Sequence, residues 1–257
     1  MSHAVEVSAE AAASDAAFLE QRETEGTQRF IKRHSLQARI THGVTIICCI
    51  WLMISGLFVF IPPLTQMAGA GVVLAMRMSH RVIGLVYVLV PVISAILAPK
   101  GVLHILKVNL CKWTKDDKLW MGLFFPYLFG CKWIHMPDQD DQKSGQRFAD
   151  GMLWICGILM AVTGVALLLG STVVDLGVAA HSVLLFLHDL GFFLLVIFVM
   201  AHIFLGAGIF QPYRGCYKLM FGNGMVSESD ALYHWGHWAR RELESGENVV
   251  VVKKDEK

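Results

Sequence analysis

The stretch HDLGFFLLVIFVMAH, residues 188–202, is apolar enough to sit in a bilayer, yet it carries a histidine at each end. At about 1.5 Å rise per residue a helix separates the two by roughly 21 Å, and fourteen residues make just under four turns. Both imidazoles therefore leave nearly the same helix face at two depths. Working outward, the whole chain of 257 residues is 55% hydrophobic and 17% charged, which points to a membrane protein. Its formal net charge of +1 gives no general attraction to nucleic acid. The six cysteines show neither CxxC nor Cys/His metal spacing, so neither a disulfide framework nor a structural zinc site is expected.

Four apolar segments are long enough to cross a hydrocarbon core, which takes about 20 helical residues. They cover 40–60, 71–97, 148–170 and 179–210 and are expected to be transmembrane helices one to four. Lys and Arg cluster before helix one (Arg22, Arg29, Lys32, Arg33, Arg39), between helices two and three (Lys100 to Arg147) and after helix four (Arg214, Lys218, Arg240, Arg241). The other two connections, IPPLTQMAGA and STVVDLGVAA, have none. By the bias of basic residues toward the cytoplasm, both termini and the long middle loop face inward.

Residues 1–28 lack the apolar core of a signal peptide and are read as a disordered cytoplasmic tail, and 244–257 as a flexible one. Between them, 29–243 is expected to be one transmembrane domain that includes the cytoplasmic loop 98–147. That loop mixes aromatics with charge in CKWTKDDKLWMGLFFPYLFGCKWIH. It suits either an interfacial segment anchored by Trp113, Trp120 and Trp133 or a binding role. SESDALYHWGHWARREL reads as a short amphipathic helix at the cytoplasmic surface, with Ser227 as N-cap. No internal repeat is evident. The fold class expected is thus an all-α membrane protein with a four-helix bundle and a C-terminal amphipathic helix.

Ionisable groups inside a membrane span are costly and usually functional. With the N terminus inside, His42 in helix one and His202 in helix four lie near the cytoplasmic face, whereas His80 and His188 share an outer depth. Two stacked pairs of facing histidines suit two iron porphyrins, because neutral imidazole is a strong axial ligand and the macrocycle fills the apolar space between helices. His181, about 31 Å from His202 along the helix, falls at the outer boundary and is given a surface role. Arg77, three residues before His80, is the candidate partner for a porphyrin propionate. Gly56 and Gly84 lie where a missing side chain leaves room for a flat ring or a packed helix.

RITHG (39–43), RMSHRVIG (77–84), SGQRF (144–148), HDLG with VMAHIFLGA in helix four, and GNGMVSESDALYHWGHWARRE (222–242) together resemble the cytochrome b (gamma) subunit of membrane-bound respiratory formate dehydrogenases. That group belongs to a dihaem b561-like family shared with hydrogenase cytochrome b subunits. The resemblance runs from about residue 30 to 243. It implies two b-type haems on His42 with His202 and on His80 with His188, and a menaquinone or ubiquinone site at the cytoplasmic haem. It further implies an iron–sulfur subunit docked at the outer face and a molybdenum or tungsten catalytic subunit, so that substrate oxidation occurs on a partner. The family's quinone loop typically reads Asn, small residue, Gly, Gln. Here the aligned residues are Lys143, Ser144, Gly145 and Gln146, with lysine in the asparagine place.

The expected function is electron transfer from that donor across a bacterial inner membrane to the quinone pool. Cytochrome b subunits of a hydrogenase or of another quinone-linked oxidoreductase, and a haem-free membrane anchor, are the alternatives. A transporter fits poorly, since the only acids in the spans are Asp150 and Asp189 near their ends.

Overall fold

The computed structural model describes residues 27–131, 133–209 and 214–253. Along the chain they form β1 (Thr27–Lys32), α1 (Leu36–Phe60), α2 (Pro62–Ala68), α3 (Ala70–Leu97), α4 (Pro99–Leu110), α5 (Lys115–Leu128), α6 (Ser144–Thr172) and α7 (Gly177–Leu205). After these come α8 (Lys218–Phe221), β2 (Met225–Ser227), α9 (Glu228–His234), α10 (Gly236–Ser245) and β3 (Val249–Lys253). Helices α1, α3, α6 and α7 are the four that are long and apolar enough to cross a membrane. The shortest of them has 25 residues, about 37 Å at helical rise against a hydrocarbon core of about 30 Å. Large apolar side chains stand well exposed on them, among them Ile47, Leu74, Val162 and Ile197. Lipid is the solvent such surfaces require.

The chain falls into two compact units. The first comprises the described residues up to Ser35, then Ile105–Ala149, then those from Ile203 onward; the second comprises Leu36–His104 and Asp150–His202. Within the 29–243 expected to be one domain, the short helices and strands gather around a core of their own.

In the second unit, α1 leads through Ile61 into α2, which begins on Pro62 and Pro63; proline suits a first turn because its missing N–H would have no helical partner there. Gly69 then serves both as the end of α2 and the start of α3 at φ +78°, a backbone region that suits glycine. The short connection between spans one and two is thereby made a helical turn.

The chain is mostly helical and has the four expected spans, and the first unit adds strands that an all-α reading did not include. A three-stranded antiparallel sheet runs β2-β1-β3, with Phe30 opposite Ser227 and Thr27 opposite Lys253. The flexible tail expected over 244–257 is corrected as far as Lys253, because VVVVK gains a backbone partner in β1. Of the tail expected over 1–28, residues 1–26 lie outside the described residues, and Thr27 and Gln28 already belong to β1. Ile31, Val226, Ala231, Leu232, Trp235 and Trp238 form the core under the sheet.

The single helix expected after span four is two helices. Ser227 caps α9, its hydroxyl accepting from the Asp230 N–H at 3.2 Å. Trp235 breaks the run at φ −142°, ψ 54°. Gly236 follows because a Cβ there would meet Asp138 Oδ2 at 2.9 Å, displacing the carboxylate that accepts from Arg240 at 2.8 Å. The middle segment is likewise helical: Thr114 and Asp117 close a capping box at the start of α5. Asp117 also accepts from Ser144 Oγ at 2.7 Å and from Arg147, tying α5 to the first turn of α6.

Candidate functional site

Within the second unit the structure brings His42 to His202, ring centres 6.1 Å apart, and His80 to His188, ring centres 6.4 Å apart. One metal bonded to both rings requires about 2.1 Å of metal–nitrogen bond and roughly 1.1 Å from nitrogen to ring centre on each side, or about 6.4 Å in all. Both pairs meet that span. Neither is a compact cluster for a bare ion: no group of three His, Cys, Asp or Glu side chains able to hold a metal occurs among the described residues.

The remaining nitrogens decide which atom each ring offers. Ser55 Oγ donates to the Trp51 carbonyl at 2.8 Å and lies 2.9 Å from His80 Nδ1. Its proton being committed, the hydroxyl accepts from Nδ1–H, and the Nε2 lone pair of His80 is left for a ligand. Thr163 repeats the arrangement on His188: its hydroxyl donates to the Leu159 carbonyl at 2.7 Å and lies 2.9 Å from Nδ1. At His202 the partner of Nδ1 is the Asp150 carboxylate, at 2.5 Å. Such outer partners fix the tautomer and orientation of a ligating imidazole.

Glycines complete the setting. A Cβ on Gly56 would lie 3.5 Å from His80 Cε1, and one on Gly164 would lie 3.3 Å from His188 Cε1. Of the two glycines expected to leave room for a ring or a packed helix, Gly56 has His80 as its close neighbour and Gly84 meets Leu52, at 3.9 Å. Sequence reasoning missed Ser55, Thr163 and Gly164, although a signal was there. A hydroxyl followed by glycine precedes each of His80 and His188 by the same spacing, the hydroxyl being 25 residues away. Asp150 had been noted only as an acid near a span end.

His181 is exposed. Arg77 is exposed too, one turn before His80, and lines a cavity of about 430 Å³ with Thr65, Gln66, Val73 and Leu74.

The remaining candidates belong to the first unit. Lys143 is 3% exposed and sets its ammonium 4.7 Å over the Trp235 ring. Burial pushes it down to about 7, with the Arg33 charge adding to the fall. Arg33, between Trp235 and Trp238 at 4.0 and 4.5 Å, is lowered to about 10 by the same burial. His234 drops to about 4 through burial and the charge of Lys143. Gly145 is packed so closely that a Cβ would come within 2.6 Å of Trp120. Lys143 and Gly145 are thus built into the packing, and Gln146 alone of the three keeps a half-exposed side chain.

A family model described as prokaryotic cytochrome b561 matches residues 33–222. The chain belongs to that family. A comparison with curated proteins gives no match. Membership makes the chain a multi-pass bacterial membrane cytochrome b, an electron-transfer subunit that carries b-type haem. In this cytochrome b561-family chain, the two histidine pairs have the ring separation that fits such a group, and the hydroxyls on Nδ1 of His80 and His188 leave Nε2 of those two rings for it.

Proposed function

We propose that this cytochrome holds two haems, one between His80 and His188 and one between His42 and His202, and carries electrons across the membrane to quinone as the gamma subunit of a formate dehydrogenase. The observation that carries this reading is the pair of ring separations, 6.1 and 6.4 Å, at two levels of one helix hairpin set. Each iron, when bound, supplies a one-electron couple. The chain's own residues do the rest: four imidazoles fix the two levels, Ser55, Thr163 and Asp150 orient three of them, and Arg77 offers a cation to a propionate.

The distribution of Lys and Arg supports cytoplasmic termini, so electrons enter from an iron–sulfur subunit at the outer face, itself fed by a molybdenum or tungsten catalytic subunit. Menaquinone or ubiquinone is reduced at the cytoplasmic side, with Gln146 as the hydrogen-bonding contact. Lys143 and Gly145 shape the segment that presents Gln146. The same chain suits a hydrogenase or another quinone-linked oxidoreductase, and the two ordered helices α4 and α5, where a plain loop would do, favour a donor of different shape.

A reduced-minus-oxidised spectrum of the purified chain tests the reading. Two b-type haems are expected; His80→Ala or His188→Ala removes one and His42→Ala the other, while His181→Ala removes neither. Loss of haem in His181→Ala with retention in His188→Ala overturns the pairing. Gln146→Ala should keep both haems reducible yet slow their reoxidation by quinone, and unchanged reoxidation removes Gln146 from the quinone site. Subunits that copurify name the donor.

A further inference from the structure

The chain contains an internal repeat that the sequence reading did not detect. An offset of 108 residues carries α1 onto α6 and α3 onto α7, ends included to within a residue for three of the four starts and stops shared by their cores. RITHGVTIICCI (39–50) and RFADGMLWICGI (147–158) then share Arg, Gly, Ile, Cys and Ile at matching places. Ser55–Gly56 falls on Thr163–Gly164, and His80 falls on His188. The pair His80 and His188 is therefore made of equivalent residues in equivalent settings, each Nδ1 on a neutral hydroxyl.

The other pair breaks the symmetry. The repeat of His42 is Asp150, and the repeat of His202 is Ser94. Where the first half has an imidazole, the second has a carboxylate, and that carboxylate accepts from His202 Nδ1 at 2.5 Å. The side chain of Asp150 is 15% exposed and that of His202 24%, so bulk water does little to screen the interaction.

Building on the two-haem reading above, we propose that Asp150 is a positioning residue for His202 that makes the two haem sites electrically unequal, holding the reduction potential of the His42/His202 haem below the value it would have with a neutral partner. The sign follows from charge. Reduction adds an electron at the iron, and a ligand whose far nitrogen donates to a carboxylate is more basic and stabilises the ferric state. The His80/His188 haem has no such partner, since hydroxyls stand in both places.

Redox titration of the visible haem bands in the purified full chain tests this. Asp150→Asn is expected to keep two haems, move one potential upward and leave the other in place; Asp150→Glu is expected to restore the original pair. Asp150→Ser, which supplies the hydroxyl found at the other site, is titrated in parallel and decides the matter if the amide is not tolerated. Thr163→Ala should leave the shifted haem untouched. Two haems with unchanged potentials in both Asp150→Asn and Asp150→Ser, or equal movement of both haems, overturns the proposal. Fewer than two haems in the unmodified chain sinks the two-haem reading itself, a failure visible before any Asp150 variant is made.

Discussion

Lys143 shows how one side chain can be conspicuous in the sequence and serve another end in the fold. The resemblance puts it in the asparagine place of an expected quinone loop, yet its ammonium is buried over Trp235. Burial lowers it from 10.5 to about 7, so between those values the unfolded chain holds a proton that the folded one lacks. Stability then rises with pH through that window, and the penalty of burying the charge is full below pH 7. The Trp235 face offsets part of that penalty. Thermal unfolding followed by tryptophan fluorescence should show this rise between about pH 7 and 10, and Lys143→Met should flatten it; an unchanged slope would mean that the lysine does not titrate in the fold. At this scale the histidine positions were legible because fourteen residues on one helix is a local fact. Asp150 was not, because its bond to His202 joins residues 52 apart on different helices.

Elements divide the same way. The four spans were legible from length and apolarity alone, since a bilayer asks only for those, although α7 stops at Leu205 where the run of apolar residues suggested 210. The strands were hidden. TQRFIK and VVVVK are short runs whose partners lie about two hundred residues away, and strand pairing has no local signature when no tight turn joins the strands. Helix α5 occupies middle ground, its cap written plainly as TKDD. Thr114→Ala removes the hydroxyl that accepts from the Asp117 N–H at 3.2 Å, and the loss should be about 1 kcal/mol. Hydrogen exchange at residues 115–118 should speed up accordingly, with exchange in α1 unaffected. Equal exchange in both proteins would show the capping box to be dispensable.

For the whole molecule, the direction of electron flow depends on which side the ends occupy. The turn between α6 and α7, residues 173–176, carries no Lys or Arg, and the basic residues lie at the opposite ends of those helices. A reporter enzyme inserted there should be active only outside the cytoplasm, and one fused after Lys257 only within it; the reverse pattern would reverse the inferred current. The pairing of β1 with β3 adds a matter of timing. Thr27 precedes every spanning helix and Lys253 follows them all, yet the two are opposite one another. During synthesis β1 must wait with both edges uncovered while four helices are threaded into the membrane, since β2 and β3 both follow the last of them. The sheet is completed only after the last spanning helix and β3 have been made, so its closure serves as a seal that a chain ended before β3 would lack.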